Sequence, residues 1–188
     1  MIIVAVCLLA ALTVPLLGGS FVRLRHTQIF DGEFLAISFF VQVAAISLLP
    51  AWLPDGIGES LHLASYAFAL WFVWANRRLA GVWMLGLGGL MNLAAIVANG
   101  GVMPADPDAV ARAGLDVEAG FSNSAAVHSP KLAVLGDIWA VPSGLPLANV
   151  FSIGDVLLGA GCALILWQGT DVVFFRIGRM KPSPVSPI

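Results

Sequence analysis

Two aspartates, Asp137 and Asp155, lie in the stretch "LGDIWAVPSGLPLANVFSIGD". Each follows a glycine and precedes a bulky apolar residue, and a Pro-Ser-Gly-Leu-Pro break separates them. If that break folds the chain back on itself, the two carboxylates come close. Two carboxylates sharing a partly dry boundary cannot both ionise easily, so one keeps a proton and the pair can serve as general acid and general base on a water molecule. Each aspartate also has a plainer reading. Asp155 opens an apolar run, where a carboxylate suits the positive end of a helix and caps its free amides. Asp137 equally suits a solvated loop.

Other polar residues fall in apolar surroundings. Glu59, His62 and Tyr66 share one helical face by their i, i+3 and i+7 spacing. Glu59 with His62 is half of a carboxylate-histidine metal site, but no second such pair exists. No metal or other cofactor is therefore expected, and His62 reads as structural or substrate-contacting. Gln42 and Asn76 allow either reading, and His128 has no evident partner. Ser122, Ser124 and Ser129 flank His128 without composing a Ser-His-Asp set. Cys7 and Cys162 lack metal-type spacing and read as small buried apolar residues. Gly86, Gly88 and Gly89, with Gly159, Gly161 and Ala163, suit close helix packing. They form no phosphate loop, since no Lys-Ser or Lys-Thr follows.

The elements that must position these residues are apolar helices. The 188 residues are 59% hydrophobic and 11% charged, with a mean hydropathy of +0.93, outside the range of ordinary soluble domains. An all-α integral membrane protein is expected. About five spans are read, over roughly 1–19, 34–53, 60–76, 79–98 and 156–175, in one membrane domain covering 1–175. The tail 176–188 is proline-rich and expected to be disordered. The first run lacks a basic stretch before it and is followed by Arg23 and Arg25, a pattern that fits a retained anchor better than a signal peptide. Alternating spans place Arg23, Arg25, Arg77, Arg78, Arg176, Arg179 and Lys181 on one side and Arg112 and Lys131 on the other. The first side is then cytoplasmic, with the amino terminus outside and the carboxyl terminus inside. Trp52 marks the outer end of the second span, and Trp71 and Trp74 lie near the cytoplasmic end of the third. No basic patch points to nucleic acid.

The external segment, about 99–150, departs from this pattern. Asp106 to Ala113 suits a short helix, and the remainder reads as loop. From Leu132 it turns apolar again, but Pro142, Gly144 and Pro146 forbid a straight span, so a re-entrant or interface-lying hairpin is expected before the last helix. Asp155 precedes Arg176, and Asn99 follows Arg78, by equal intervals of 21 positions, which puts both at roughly 31 Å from the cytoplasmic charges. Asn92 and His62 fall somewhat deeper. Polar groups thus converge on one leaflet.

The phrases "NGGVMPADP", "KLAVLGDIWAVP" and "PLANVFSIGDVLLGAG" resemble an uncharacterised bacterial family of small multi-pass membrane proteins, a domain of unknown function. A second resemblance is local: "FSIGDVLLGAGCALIL" is similar to the last helix of lipoprotein signal peptidase, an aspartic membrane enzyme. Phe151, Asp155 and Gly161 match that family's pattern, and Asp137 stands where its other aspartate falls. "GLGGLMN", ending at Asn92, resembles its glycine-rich stretch, and Asn99 with Gly101 its Asn-x-Gly segment, although here they follow that stretch. Ser152 replaces the pattern's asparagine and Gly154 its alanine. The resemblance implies catalysis by Asp137 and Asp155, with Asn92, Asn99, Gly101 and Ser152 contacting substrate, on a lipidated or membrane-embedded peptide at the outer leaflet of a bacterial plasma membrane; His62, placed in the same leaflet by its depth, is expected as a further substrate contact. The alternative is a binding, transport or assembly protein using the same polar cluster, with membrane lipid as a partner.

Overall fold

A computed structural model describes residues 2–47, 56–115, 124–125 and 129–177 of the chain. Trp52, Ser122 and His128, the side chain of Glu59 and the tail beyond residue 177 lie outside the described residues. The apolar runs become helices α1 (Ile2–Leu16), α2 (Gly32–Ser47), α3 (Ile57–Ala75) and α4 (Val82–Ala98). A short excursion follows, with strand β1 (Met103–Pro104), helix α5 (Pro107–Ala113) and strands β2 (Ser124–Ala125), β3 (Trp139–Val141) and β4 (Asn149–Phe151). Helix α6 (Ile153–Gly169) and a short helix, α7 (Val173–Ile177), are the last elements among the described residues.

Glycine sets the tightest contacts. A Cβ at Gly88 of α4 would lie 2.5 Å from the Gly154 carbonyl oxygen of α6. Two turns away, a Cβ on Gly161 of α6 would lie 2.7 Å from the Gly81 carbonyl oxygen just before α4. The two helices run antiparallel with backbones touching, the close approach that small residues permit. Gly159 admits Val6 of α1, and Trp167 Nε1 donates to Thr13 Oγ1 at 3.0 Å, so α1 lies alongside α6. Helices α2 and α3 form a second antiparallel pair, joined by Phe34 on Phe68 and by Trp71 Nε1 donating to Asp31 at 2.8 Å. The groups meet more sparsely: Gly86 accepts Val73 of α3. At the same end as Asp31, buried Asn76 fastens α3 to the chain before α2, its Oδ1 accepting from Phe30 N at 2.8 Å and its Nδ2 donating to the Phe30 carbonyl at 2.7 Å.

The apolar run expected to reach residue 175 breaks at Thr170. Helix α6 stops at Gly169, and just beyond it Asp171 adopts φ 54° and takes ion pairs from Arg23 and Arg176. No helix among the described residues is long and apolar enough to cross a membrane.

At the opposite end sits the excursion. Asp106 caps α5, its carboxylate accepting from Ala109 N at 2.9 Å. Ala105, Ala109, Val110 and Ala113 pack with Val150 in a small core of their own. The Pro142–Pro146 break is the turn of an antiparallel hairpin, in which Trp139 pairs with Phe151.

Candidate functional site

The polypeptide leaves β4 at Phe151 and enters α6 through Ser152, which is fully buried. A serine followed three residues later by an acidic residue, ahead of an apolar run, is a helix-start signal, and here both halves of a capping box form. Ser152 Oγ accepts from Asp155 N at 3.1 Å, and Asp155 Oδ2 accepts from Ser152 N at 3.0 Å. From α4, Asn92 Nδ2 donates to Asp155 Oδ1 at 3.0 Å, while Asn92 Oδ1 faces Ser152 Oγ at 2.9 Å. The amide orientation follows from this network, because the reverse would set its oxygen against a carboxylate oxygen.

Ser152 has one hydroxyl proton and two acceptors within reach, Asn92 Oδ1 and Asp155 Oδ2 at 3.1 Å. Asp155 Oδ2 already takes the Ser152 amide, whereas Asn92 Oδ1 has no other donor among the described residues. The proton therefore belongs to Asn92, and the three side chains form a closed set. Gly154 is what lets it close, since a Cβ there would fall on Asn92 Oδ1.

Asn92 and Asp155 also face a cavity of about 590 Å³ between the two helix groups. It runs along the seam, with apolar walls that include Leu35, Phe39, Leu70, Val73 and Leu158. Its polar residues are Ser38 and Gln42 of α2, His62 and Tyr66 of α3, and the Asn92–Asp155 pair. The His62 and Tyr66 rings meet edge to face at 5.5 Å. His62 is 3% exposed, and neither ring nitrogen has a hydrogen-bond partner among the described residues. Phe39, Phe40, Leu35 and Leu70 line the cavity and are exposed.

The structure thus brings His62, Asn92, Ser152 and Asp155 together. Asp137 is buried and held by its backbone: its N–H donates to the Pro104 carbonyl at 2.9 Å, and its carbonyl accepts from Asp106 N at 3.0 Å. It is buried rather than a solvated loop residue, and it is not among the residues lining the cavity. Asn99 spends its amide on the chain, its Nδ2 donating to the Ala95 and Lys131 carbonyls and its Oδ1 accepting from Lys131 N at 2.9 Å. Gly101 is buried at φ 101°, a left-handed turn that suits glycine. Neither Asn99 nor Gly101 lines the cavity. Cys7 and Cys162, expected to be buried, are half-buried, and Cys162 is in the cavity wall. No group of three or more His, Cys, Asp or Glu residues among the described residues is placed to hold a metal.

A family model described as a family of unknown function, DUF5317, matches residues 26–167. The chain belongs to the DUF5317 family. The match spans α2 to most of α6, so every residue of the cavity except Ile3 lies within the DUF5317 region. No curated protein and no solved structure matches the chain. The likeness of the DUF5317 chain to lipoprotein signal peptidase thus rests on the residues quoted for it.

Two features of the site go beyond the sequence expectation. The Ser152-x-x-Asp155 box carries a legible signal of which the expectation uses only the aspartate. Gly89 sits among the glycines suited to helix packing, yet a Cβ there would meet nothing within 4 Å, and it lines the cavity.

Proposed function

We propose that the chain is a multi-pass membrane protein that holds a small apolar or amphiphilic molecule in the cavity between its two helix groups. One observation carries this reading: a volume of about 590 Å³, within the ~300–1,000 Å³ of small-molecule sites, walled by apolar side chains with a few polar groups gathered among them. The membrane part draws support from the surface. Leu8, Leu9, Leu12 and Leu16 of α1, Phe39 and Phe40 of α2, Trp74 of α3 and Trp83 of α4 are all exposed, so the bundle is apolar outside as well as within. Arg23 and Arg176 meet on Asp171 at one end, while Arg112 lies in the excursion at the other. Helices of 15 to 19 residues measure roughly 22–29 Å at 1.5 Å per residue. That falls slightly short of the ~30 Å hydrocarbon layer, a mismatch that bilayers absorb by thinning.

The test is sidedness together with occupancy. Arg112→Cys and Arg78→Cys variants, made without Cys7 and Cys162, are expected to react with a membrane-impermeant thiol reagent from opposite faces of the membrane. Native mass spectrometry is expected to find a bound small molecule. Recovery of the chain in the soluble fraction, or reaction of both sites from one face, would defeat the membrane reading.

A hydrolytic reading, with Asp137 and Asp155 as acid and base on a lipidated or membrane-embedded peptide, is favoured by one feature. Ser152 and Asn92 orient the Asp155 carboxylate at the cavity wall. It requires both Asp137→Asn and Asp155→Asn to lose cleavage of a lipidated peptide by about a hundredfold or more, the usual scale for an acid or base. Full cleavage by either variant sinks it.

A further inference from the structure

Among the described residues, Asp155 is the one carboxylate that lines the cavity, and no Lys or Arg lines it. The ion pairs among those residues fall on Asp171 instead, and neither His62 ring nitrogen bonds to Asp155. The donors that hold the carboxylate, Ser152 N on Oδ2 and Asn92 Nδ2 on Oδ1, are both uncharged. The Ser152 hydroxyl gives its proton to Asn92. A carboxylate offers about four acceptor positions, so both oxygens keep room for a further donor. The amino end of α6 supplies roughly half a unit of positive charge. A net negative charge is therefore left at the cavity wall.

The rest of the lining says what answers that charge. An anionic head would meet a like charge with no counterion, and an uncharged head would leave the carboxylate unneutralised. A cation pairs with it, and it also suits the aromatic rings of Phe39, Phe40, Tyr66 and Phe72 in the same wall, because ring faces attract positive charge. A bare metal ion fits poorly: no group of three or more His, Cys, Asp or Glu residues among the described residues stands ready to replace its water. Most of the remaining wall is hydrocarbon, which suits an organic body. Carboxylates that face the interior of a membrane protein characteristically find such a partner.

Resting on the small-molecule binding reading above, we propose that the cavity takes a singly charged organic cation, with an ammonium head on the Asp155 carboxylate and a hydrocarbon body along the seam between the helix groups. The ammonium donates to the acceptor positions that Ser152 and Asn92 leave, and those two residues position the carboxylate. Gly89, where a Cβ would meet nothing within 4 Å, leaves room for the body.

The experiment is photolabelling of the full chain in phosphatidylcholine nanodiscs at neutral pH with three diazirine-bearing probes of equal chain length: dodecylamine, dodecanol and dodecanoic acid. Labelled peptides are mapped by mass spectrometry and normalised to labelled lipid. The amine is expected to label the α2, α3, α4 and α6 peptides about tenfold better than the alcohol, the scale of one hydrogen bond to a charged group, and the acid least. Asp155→Asn, which removes the charge and keeps the shape, is expected to bring the amine down to the alcohol's level without changing alcohol labelling. Because Asp155 also caps α6, a second variant leaves the cap intact: Gln42→Lys sets an ammonium in the cavity from its own wall and is expected to weaken amine labelling about tenfold. Gly89→Leu fills the space and is expected to remove labelling by every probe. Amine labelling no better than the alcohol's, or wild-type preference in Asp155→Asn or Gln42→Lys, overturns the cation assignment and leaves cavity binding standing if Gly89→Leu still blocks it. Labelling that Gly89→Leu does not change, or none on these helices, overturns both.

Discussion

Ser152→Ala removes one oxygen from a fully buried position, and the structure sets out what that oxygen does. It caps α6 through Asp155 N, a contact whose loss costs about 1 kcal/mol. It also supplies the proton held by Asn92 Oδ1, and stranding that carbonyl costs about 1–3 kcal/mol in a residue only 8% exposed. The second contact of Ser152 Oγ, to Asp155 Oδ2, adds nothing, because the single proton is already assigned. The sum is about 2–4 kcal/mol. For a chain of this size each kcal/mol moves the thermal midpoint by roughly 2–4 °C, so a fall of roughly 4–16 °C is expected. Unfolding of the purified chain followed by circular dichroism reads it. The sharper measurement is a double-mutant cycle with Asn92→Leu. Once the stranded carbonyl is gone, the double variant should fall short of the sum of the single losses by about 1–3 kcal/mol. Additivity within about 0.5 kcal/mol, or a Ser152→Ala midpoint equal to wild type, would refute the assignment of the proton.

Neighbouring glycines should respond oppositely. Gly88→Ala drives a methyl into the Gly154 carbonyl and should cost about 1–3 kcal/mol, whereas Gly89→Ala meets open space and should be neutral or stabilise by up to about 1 kcal/mol, both read as thermal midpoints. Asn76→Ala strands the Phe30 N–H and carbonyl and should cost about 2–4 kcal/mol in the same assay; a loss below about 0.5 kcal/mol would mean that these bonds do not hold the α2 entry. Asn99→Ala frees the Lys131 amide, so hydrogen exchange there should quicken at least tenfold while the α4 interior amides keep their protection.

The long helices are legible because charge-free runs leave the chain few alternatives, and their ends are less so. The charge-free run itself ends just before Asp171, and α6 stops at Gly169; what spacing does not name is Arg23, the distant residue that pairs with Asp171. Pro142, Gly144 and Pro146 announce a break but not that it becomes a strand hairpin, since the pairing of Trp139 with Phe151 depends on partners that spacing does not name. The capping box is local and therefore readable at Ser152 and Asp155. The cavity is not, because it is the seam between helix groups, and whether Gly88 or Gly89 faces a neighbour depends on a helix phase that only the assembled bundle shows. His62 likewise looks the same in sequence with or without a partner.

Helices faced with glycine and leucine have a problem of alignment. Sliding α6 along α4 by one turn, roughly 5.4 Å, would part the Gly88–Gly154 and Gly81–Gly161 backbone contacts that only glycine permits. Packing against glycine thus already favours one position. The Asn92 side chain has only one: a slip strands its amide, the Ser152 hydroxyl and an Asp155 oxygen together, at about 1–3 kcal/mol for each group. The carboxylate that looks misplaced in an apolar chain therefore acts as a ruler, giving two greasy helices one register in which to stop.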